Sequence, residues 1–215
     1  MYNIYDYFNN LNWRTNMVQL RDIASILRAP LFKDEAGNPS ERYSIISIKD
    51  FPLAGYIPAP KKEILVHTGN ERINKFIVQE HDVLLTIVGT IGKVTIVPEG
   101  IRNNCVPATN MLRFRFTANP RENSIALYVF LKSTVGQATI QSYIHGSSIP
   151  IVTKGQIASM RIPAPSSETW SVTEEIWCNE QRLYMEAQSL LEESQRVFSI
   201  YSEEKKVENP YLISS

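Results

Sequence analysis

Asp82–Val97 reads DVLLTIVGTIGKVTIV: two apolar runs rich in β-branched residues on either side of Gly89-Thr90-Ile91-Gly92. Runs of this length and composition predict strands, and a glycine-bracketed break between them predicts a tight turn in which Gly supplies positive φ. Lys93 follows the turn immediately. A phosphate-binding loop would need a further Gly, a Lys-Ser/Thr pair and a following helix, and a strand is expected here instead.

Outward from this block, more strands are expected. YSIISIKDF (Tyr43–Phe51) predicts one, with Ile46 and Ile48 on one face and Ile45 on the other. INKFIV predicts another. In MLRFRF (Met111–Phe116), Met111, Arg113 and Arg115 alternate with Leu112, Phe114 and Phe116, which predicts a half-buried strand with both arginines on its exposed side. MVQLRDIASILRAP, from Met17, starts by alternating and then places Leu20, Ile23, Ile26 and Leu27 at helical spacing before Pro30 ends the run. Lys33–Glu41 and the proline-rich FPLAGYIPAPKK predict loops, and SIALYVFLKS (Ser124–Ser133) a short helix closed by VGQATIQSYIHG.

After Pro163 and Pro165 the texture changes. From Thr169 to Lys206 there is neither Gly nor Pro, and apolar pairs recur every seven residues: Ile176/Trp177, Leu183/Tyr184, Leu190/Leu191 and Val197/Phe198, with Ala187 four residues beyond Leu183. A repeat of seven predicts a helix that packs lengthwise on another helix. Ser166 or Ser167 can cap its start. The expected organisation is an N-terminal arm (1–16), a globular domain (17–165), a long dimerisation or spacer helix (166–206) and a polar tail (207–215).

A net charge of zero over 215 residues hides a split. Residues 1–166 carry 18 Lys and Arg against 12 Asp and Glu, a balance of +6, and residues 167–215 carry 4 against 10, a balance of −6. Such asymmetry suits a polyanionic partner for the basic part. Groove readout draws on Arg, Lys, Asn and Gln, and phosphate clamping on Lys, Arg and small hydroxyls. The candidates on expected loops are Lys33, Asn38, Arg42, Lys61, Lys62, Arg72, Asn74, Thr90, Lys93, Arg102, Asn103, Asn104 and Lys154. Arg102-Asn103-Asn104 stands out, because an Arg beside two Asn suits guanine and adenine edges.

Catalytic chemistry finds little support. His67, His81 and His145 lack metal-ligand spacing, and Cys105 and Cys178 suit neither a disulfide framework nor zinc. Asn209-Pro210-Tyr211 lacks the second proline of an adenine-methylating motif and any glycine-rich cofactor strand before it. Asp22, Asp50 and Asp82 sit at element boundaries, where turn and capping roles are usual. No catalytic residue, cofactor or metal is expected. No apolar stretch approaches the roughly 20 residues of a membrane span, and MYNIYDYFNN lacks the pattern of a signal peptide. A cytoplasmic location is the simplest expectation.

Taken in order, LRDIASILRAP, YSIISIKD, GYI, EHDVLLTIVGTIGKVTIV, LYVFLKSTVGQATIQSYIHGSSIPIVTKGQIASMRIPAP and the long helix resemble the specificity (S) subunits of type I restriction-modification systems. The resemblance covers residues 17–205. It implies an α+β target recognition domain with a twisted, mainly β core and short helices, followed by a long coiled-coil helix. It also implies sequence-specific binding of double-stranded DNA to direct an adenine-N6 methyltransferase, and a restriction motor, to a bipartite site. A full S subunit looks like two such domains with two helices, whereas this chain has one of each. A half-subunit that dimerises through the helix, one half of a longer protein, and the recognition region of a larger fused methyltransferase all fit that departure. A helix-mediated protein-interaction module without DNA binding is the reading from another class.

Overall fold

The computed structural model describes residues 16–32, 40–67, 71–146 and 148–208, the last eight as backbone only. Lys33 and Asn38 lie outside the described residues, as do the arm to residue 15 and the tail from 209. The chain divides into two compact units, one reaching to Trp177 and the other beginning at Cys178.

The first unit is α+β. β1 (Met17–Gln19) leads into a single helical turn, α1 (Leu20–Ile23), and then β2 (Ser25–Arg28). The spacing of Leu20, Ile23, Ile26 and Leu27 therefore does not mark one helix. Ala24 is extended, at φ −131° and ψ 141°, and breaks the run into strand, turn and strand. β3 (Ser40–Ile46) and β4 (Lys62–His67) pair antiparallel, and β5 (Val83–Thr86) pairs with β6 (Val94–Ile96) across the glycine turn. Gly89 and Gly92 both have positive φ, at 74° and 88°, as the turn reading requires. β7 (Cys105–Pro107) runs parallel to β3, and β8 (Met111–Arg115) lies between β2 and β5. The result is a four-stranded sheet ordered β2-β8-β5-β6 and a three-stranded sheet ordered β4-β3-β7. A two-stranded ribbon joins β1 to β9 (Arg161–Pro163).

Helices cover one side of the larger sheet. α2 (Pro120–Lys132) and α3 (Thr134–Ser142) are separate helices, because Ser133 is extended and its Oγ accepts the Gly136 N–H at 3.1 Å as the cap of the second. α4 (Lys154–Ala158) starts at a reciprocal capping box between Thr153 and Gln156. INKFIV does not form a strand; Glu71–Phe76 is a short 3-10 turn that buries Ile73 and Phe76, three residues apart on one face.

Period-two alternation on β5 and β8 divides the core. Val83, Leu85, Leu112 and Phe114 pack with Tyr128, Leu131 and Ile157 under the helices, whereas Leu84 and Met111 turn the other way, toward Ile46 of β3 and Cys105 of β7. A sheet buried on both faces explains why DVLLTIV is apolar without interruption. The expectation that Arg113 and Arg115 face solvent is corrected by the same packing. Arg113 is 3% exposed and Arg115 is half-buried, both on the face that meets the second layer. Tyr43 and Ile45 of β3 close a third cluster with Ile64, Val66, Phe76 and Val106.

α5 (Ser167–Glu208) is a continuous helix of 42 residues, roughly 63 Å at 1.5 Å per residue. Ser166 Oγ accepts the Thr169 N–H at 3.1 Å and caps it. Its first turns belong to the globular unit. Trp177 is 3% exposed, with its ring edge-on to Tyr128 and Tyr56 at 4.9 and 5.0 Å between centroids. Arg121 grips Glu174 with two hydrogen bonds of 2.7 and 3.0 Å, and Trp170 Nε1 donates to Asn123 at 2.9 Å. Trp177, with the partly buried Ile176, is thus spent on this core and is removed from the expected dimerisation face. From Cys178 to Ile200 the helix is largely exposed, including Leu183, Leu190, Leu191, Val197 and Phe198. Tyr184 is half-buried and Ala187 exposed.

Candidate nucleic-acid interface

Most of the described candidate loop residues fall into three groups. In the first, the glycine turn is fastened to its neighbours by backbone bonds. Gly92 N–H donates to Thr86 O, Gly89 N–H to Pro150 O and Val152 N–H to Ile87 O, each at 2.9–3.0 Å. Gln137 Nε2 donates to Gly92 O at 3.0 Å, and Lys93 N–H to Thr86 Oγ1, also at 3.0 Å. With its backbone groups so occupied, the turn exposes the Thr90 and Lys93 side chains. The segment bonded to it leads two residues later to exposed Lys154, in the first turn of α4. Rigid backbone under exposed hydroxyl and ammonium groups is suited to holding phosphate oxygens.

The second group lies at one end of the three-stranded sheet. β7 runs parallel to β3 with Cys105 opposite Ser44, which carries Arg102, Asn103 and Asn104 to the end of the sheet occupied by Arg42. Arg42 Nη1 pairs with Glu63 at 2.9 Å. Asn104 Nδ2 donates to Arg42 O at 2.8 Å, and Asn104 O accepts from Ser44 N–H, also at 2.8 Å. Asn104 thus stitches β7 to β3, and the side chains left exposed for a base edge are Arg102 and Asn103. Below them Cys105 is fully buried, and burial pushes its thiol pKa upward against the opposing pull of Ser44 and Arg102. Lys61 and Lys62 are exposed but apart from this group, because Lys62 lies opposite Ile45 at the other end of β3.

Arg72 belongs to a third group that the sequence did not reveal. It lines an open cleft of about 470 Å³ with Arg28, Lys75, Phe76, Pro30 and Thr109. Arg28 was hidden by the helical reading of its segment, and Lys75 by the strand reading of INKFIV. The one legible signal was the presence of basic residues at both borders.

Behind these surfaces is a buried charge cluster. Asp82, with no exposed surface, accepts two hydrogen bonds from Arg115, at 2.8 and 2.7 Å, and one from Gln79 N–H at 2.8 Å. The last bond is the turn role expected of Asp82; the ion pair is not legible in its local sequence. Arg113 Nε lies 3.8 Å from the same carboxylate, an ion pair too long for a hydrogen bond. Burial depresses the Arg113 pKa, while Asp82 acts to raise it. Arg113 Nη1 reaches the carbonyls of Lys75 and Ile77 at 3.1 and 3.2 Å, and Arg115 Nη2 reaches Ile77 O at 2.9 Å.

The α+β unit thus displays exposed cations on anchored loops, and the chain continues into an acidic helix. Residues 12–182 match the family described as the type I restriction modification DNA specificity domain, and the chain belongs to that family. Its fold is similar to that of the type I restriction-modification system S subunit from M. genitalium, with a TM-score of 0.58 at 16% identity, over 91% of this chain and 46% of that one. The HsdS subunit from Thermoanaerobacter tengcongensis gives 0.51 at 13% identity, over 81% of this chain and 39% of that one. The type IIG restriction endonuclease BpuSI gives 0.53 at 13% identity, over 80% and 27%. The chain thus spans less than half the length of the S subunits it matches. No curated protein matches the sequence. Among the described residues no helix is long and apolar enough to cross a membrane.

Proposed function

We propose that this chain is the DNA-reading element of a type I restriction-modification system. It binds double-stranded DNA through its loops and delivers a methyltransferase partner, and with it a restriction motor, to a specific site. The observation that carries the reading is the family match over residues 12–182, which takes in nearly all of the basic part of the chain and its exposed loop cations. Lys93, Thr90 and Lys154 hold phosphates in this account, while Arg102 and Asn103 face base edges. The chain reads and does not cut or methylate.

The helix beyond Trp177 supports pairing with a second copy. Leu183, Leu190 and Val197 repeat every seven residues and are 53%, 67% and 59% exposed, and Leu191 and Phe198 continue the stripe. A coiled coil would bury them. Two identical domains related by a two-fold axis would read a bipartite, palindromic site. Titration of labelled duplex DNA with the chain, at several salt concentrations and with the methyltransferase subunits present, tests the reading. Salt-dependent binding with a preferred sequence supports it, and its absence sinks it.

A further inference from the structure

We propose that the cleft between the end of β2 and the 3-10 turn Glu71–Phe76 is a phosphodiester-binding subsite, in which Arg28, Arg72 and Lys75 grip the backbone of bound duplex DNA. The inference rests on the DNA-reading function above and assigns it residues outside the glycine turn and the Arg102 loop.

Among the described residues, three cations and no acidic side chain line this cleft of about 470 Å³. Like charges gathered without counter-ions repel one another, and an anionic ligand reverses the sign of that energy. None of the three makes an ion pair among the described residues. Arg28 Nε donates to Thr109 O at 2.8 Å, which fixes the guanidinium and leaves both its Nη groups for an acceptor. Lys75 Nζ lies 5.0 Å from the centre of the Phe76 ring, which orients the ammonium without neutralising it.

The site is also pre-organised from below. Ile73 and Phe76 anchor the turn at 1% and 8% exposure, and Phe76 meets Phe32 edge-on at 5.8 Å. Arg113, buried beside Asp82, donates to the carbonyls of Lys75 and Ile77 at the exit of the turn. Arg72 and Lys75 therefore project from a segment that does not have to be ordered when DNA arrives, which lowers the entropic cost of binding. Three cations converging on one open cleft can share the oxygens of adjacent phosphates, and we assign the cleft to affinity and not to sequence choice.

The test compares wild type with Arg28→Ala/Arg72→Ala/Lys75→Ala and with the single change Arg72→Ala at an exposed position, each with the methyltransferase subunits. Duplex DNA is titrated from low to moderate salt, and thermal melts check that the domain is folded. The expected result is a flatter dependence of log affinity on log salt, by about one for the single variant and about two to three for the triple. The ratio of affinities for preferred and unrelated sequences should stay within about threefold. A triple variant with an unchanged slope, while wild type binds DNA, overturns the subsite and leaves the DNA-reading function standing. Wild type without salt-dependent binding overturns both. Inorganic phosphate that raises the melting temperature of wild type but not of the triple variant, with identical DNA slopes, assigns the cleft to a small anion and also overturns the proposal.

Discussion

The carboxylate of Asp82 meets the guanidinium of Arg115 in two parallel hydrogen bonds, Oδ1 to Nε at 2.8 Å and Oδ2 to Nη2 at 2.7 Å, with the carboxylate wholly out of solvent. That bond joins the start of β5 to the end of β8. The same two arginines of β8 then hold the carbonyls of Lys75 and Ile77. One acidic residue thus compensates two arginines that would otherwise be stranded under the proposed binding surface. Removing a single member of a buried pair leaves the other charge unpaired, at a cost of about 3–5 kcal/mol. Asp82→Ala should lose stability in that range by urea denaturation. A loss below about 1 kcal/mol would show that the cluster relaxes into solvent and does not hold the surface.

Burial raises the pKa of the Cys105 thiol, and of the Tyr43 phenol with help from its hydrogen bond to Glu41. A group whose folded pKa lies above its unfolded value stabilises fully below the unfolded pKa and loses that contribution as pH rises through the folded one. Stability should therefore fall in the alkaline range, from above about pH 8.5 for the thiol, and Cys105→Ala should soften the decline. In native protein at pH 8 the exposed Cys178 should be the thiol that alkylates. Equal labelling of Cys105 before denaturation would contradict its burial.

The helix separates two kinds of apolar residue. Trp177→Ala should destabilise the globular unit by about 3–5 kcal/mol, as large-to-small core changes do. Leu183→Glu with Leu190→Glu, at positions 53% and 67% exposed, should leave that unit's melting unchanged and yield a monomer in sedimentation. A double variant that sediments like wild type would mean that this stripe is not the pairing face.

Lys93 and Arg102 should differ in the kind of loss they produce. Lys93→Glu, beside the fastened glycine turn, should weaken binding to all sequences alike and flatten the salt slope by about one. Arg102→Glu should erode discrimination between sites by roughly 1–3 kcal/mol. Titrations of one preferred and one scrambled duplex separate the two. Matching losses on both duplexes for Arg102→Glu would remove it as a base reader.

Legibility from sequence followed the range of the forces involved. The glycine turn, the flanking strands and the long helix were readable because turn chemistry and sustained periodicity are local. Leu20, Ile23, Ile26 and Leu27 misled because a strand, one helical turn and a second strand can mimic helical spacing over eight residues. MLRFRF gave the correct alternation but the wrong environment for Arg113 and Arg115. Their partner Asp82 is some thirty residues away in the chain, and the carbonyls that hold them, of Lys75 and Ile77, are farther still. The Arg28–Arg72–Lys75 cleft stayed hidden for the same reason, since two misassigned segments contribute its cations. Trp177 matched the heptad yet belongs to the core, because the helix passes from one environment to another without any break in its sequence pattern.

In the proposed function, a paired copy of this domain reads DNA sequence-specifically. Selection from random duplex DNA, with the methyltransferase subunits present, tests it most directly. Two short half-sites should be recovered, inverted with respect to each other and held at one fixed spacing. Recovery of a single undivided site, or of no preference at all, would contradict it.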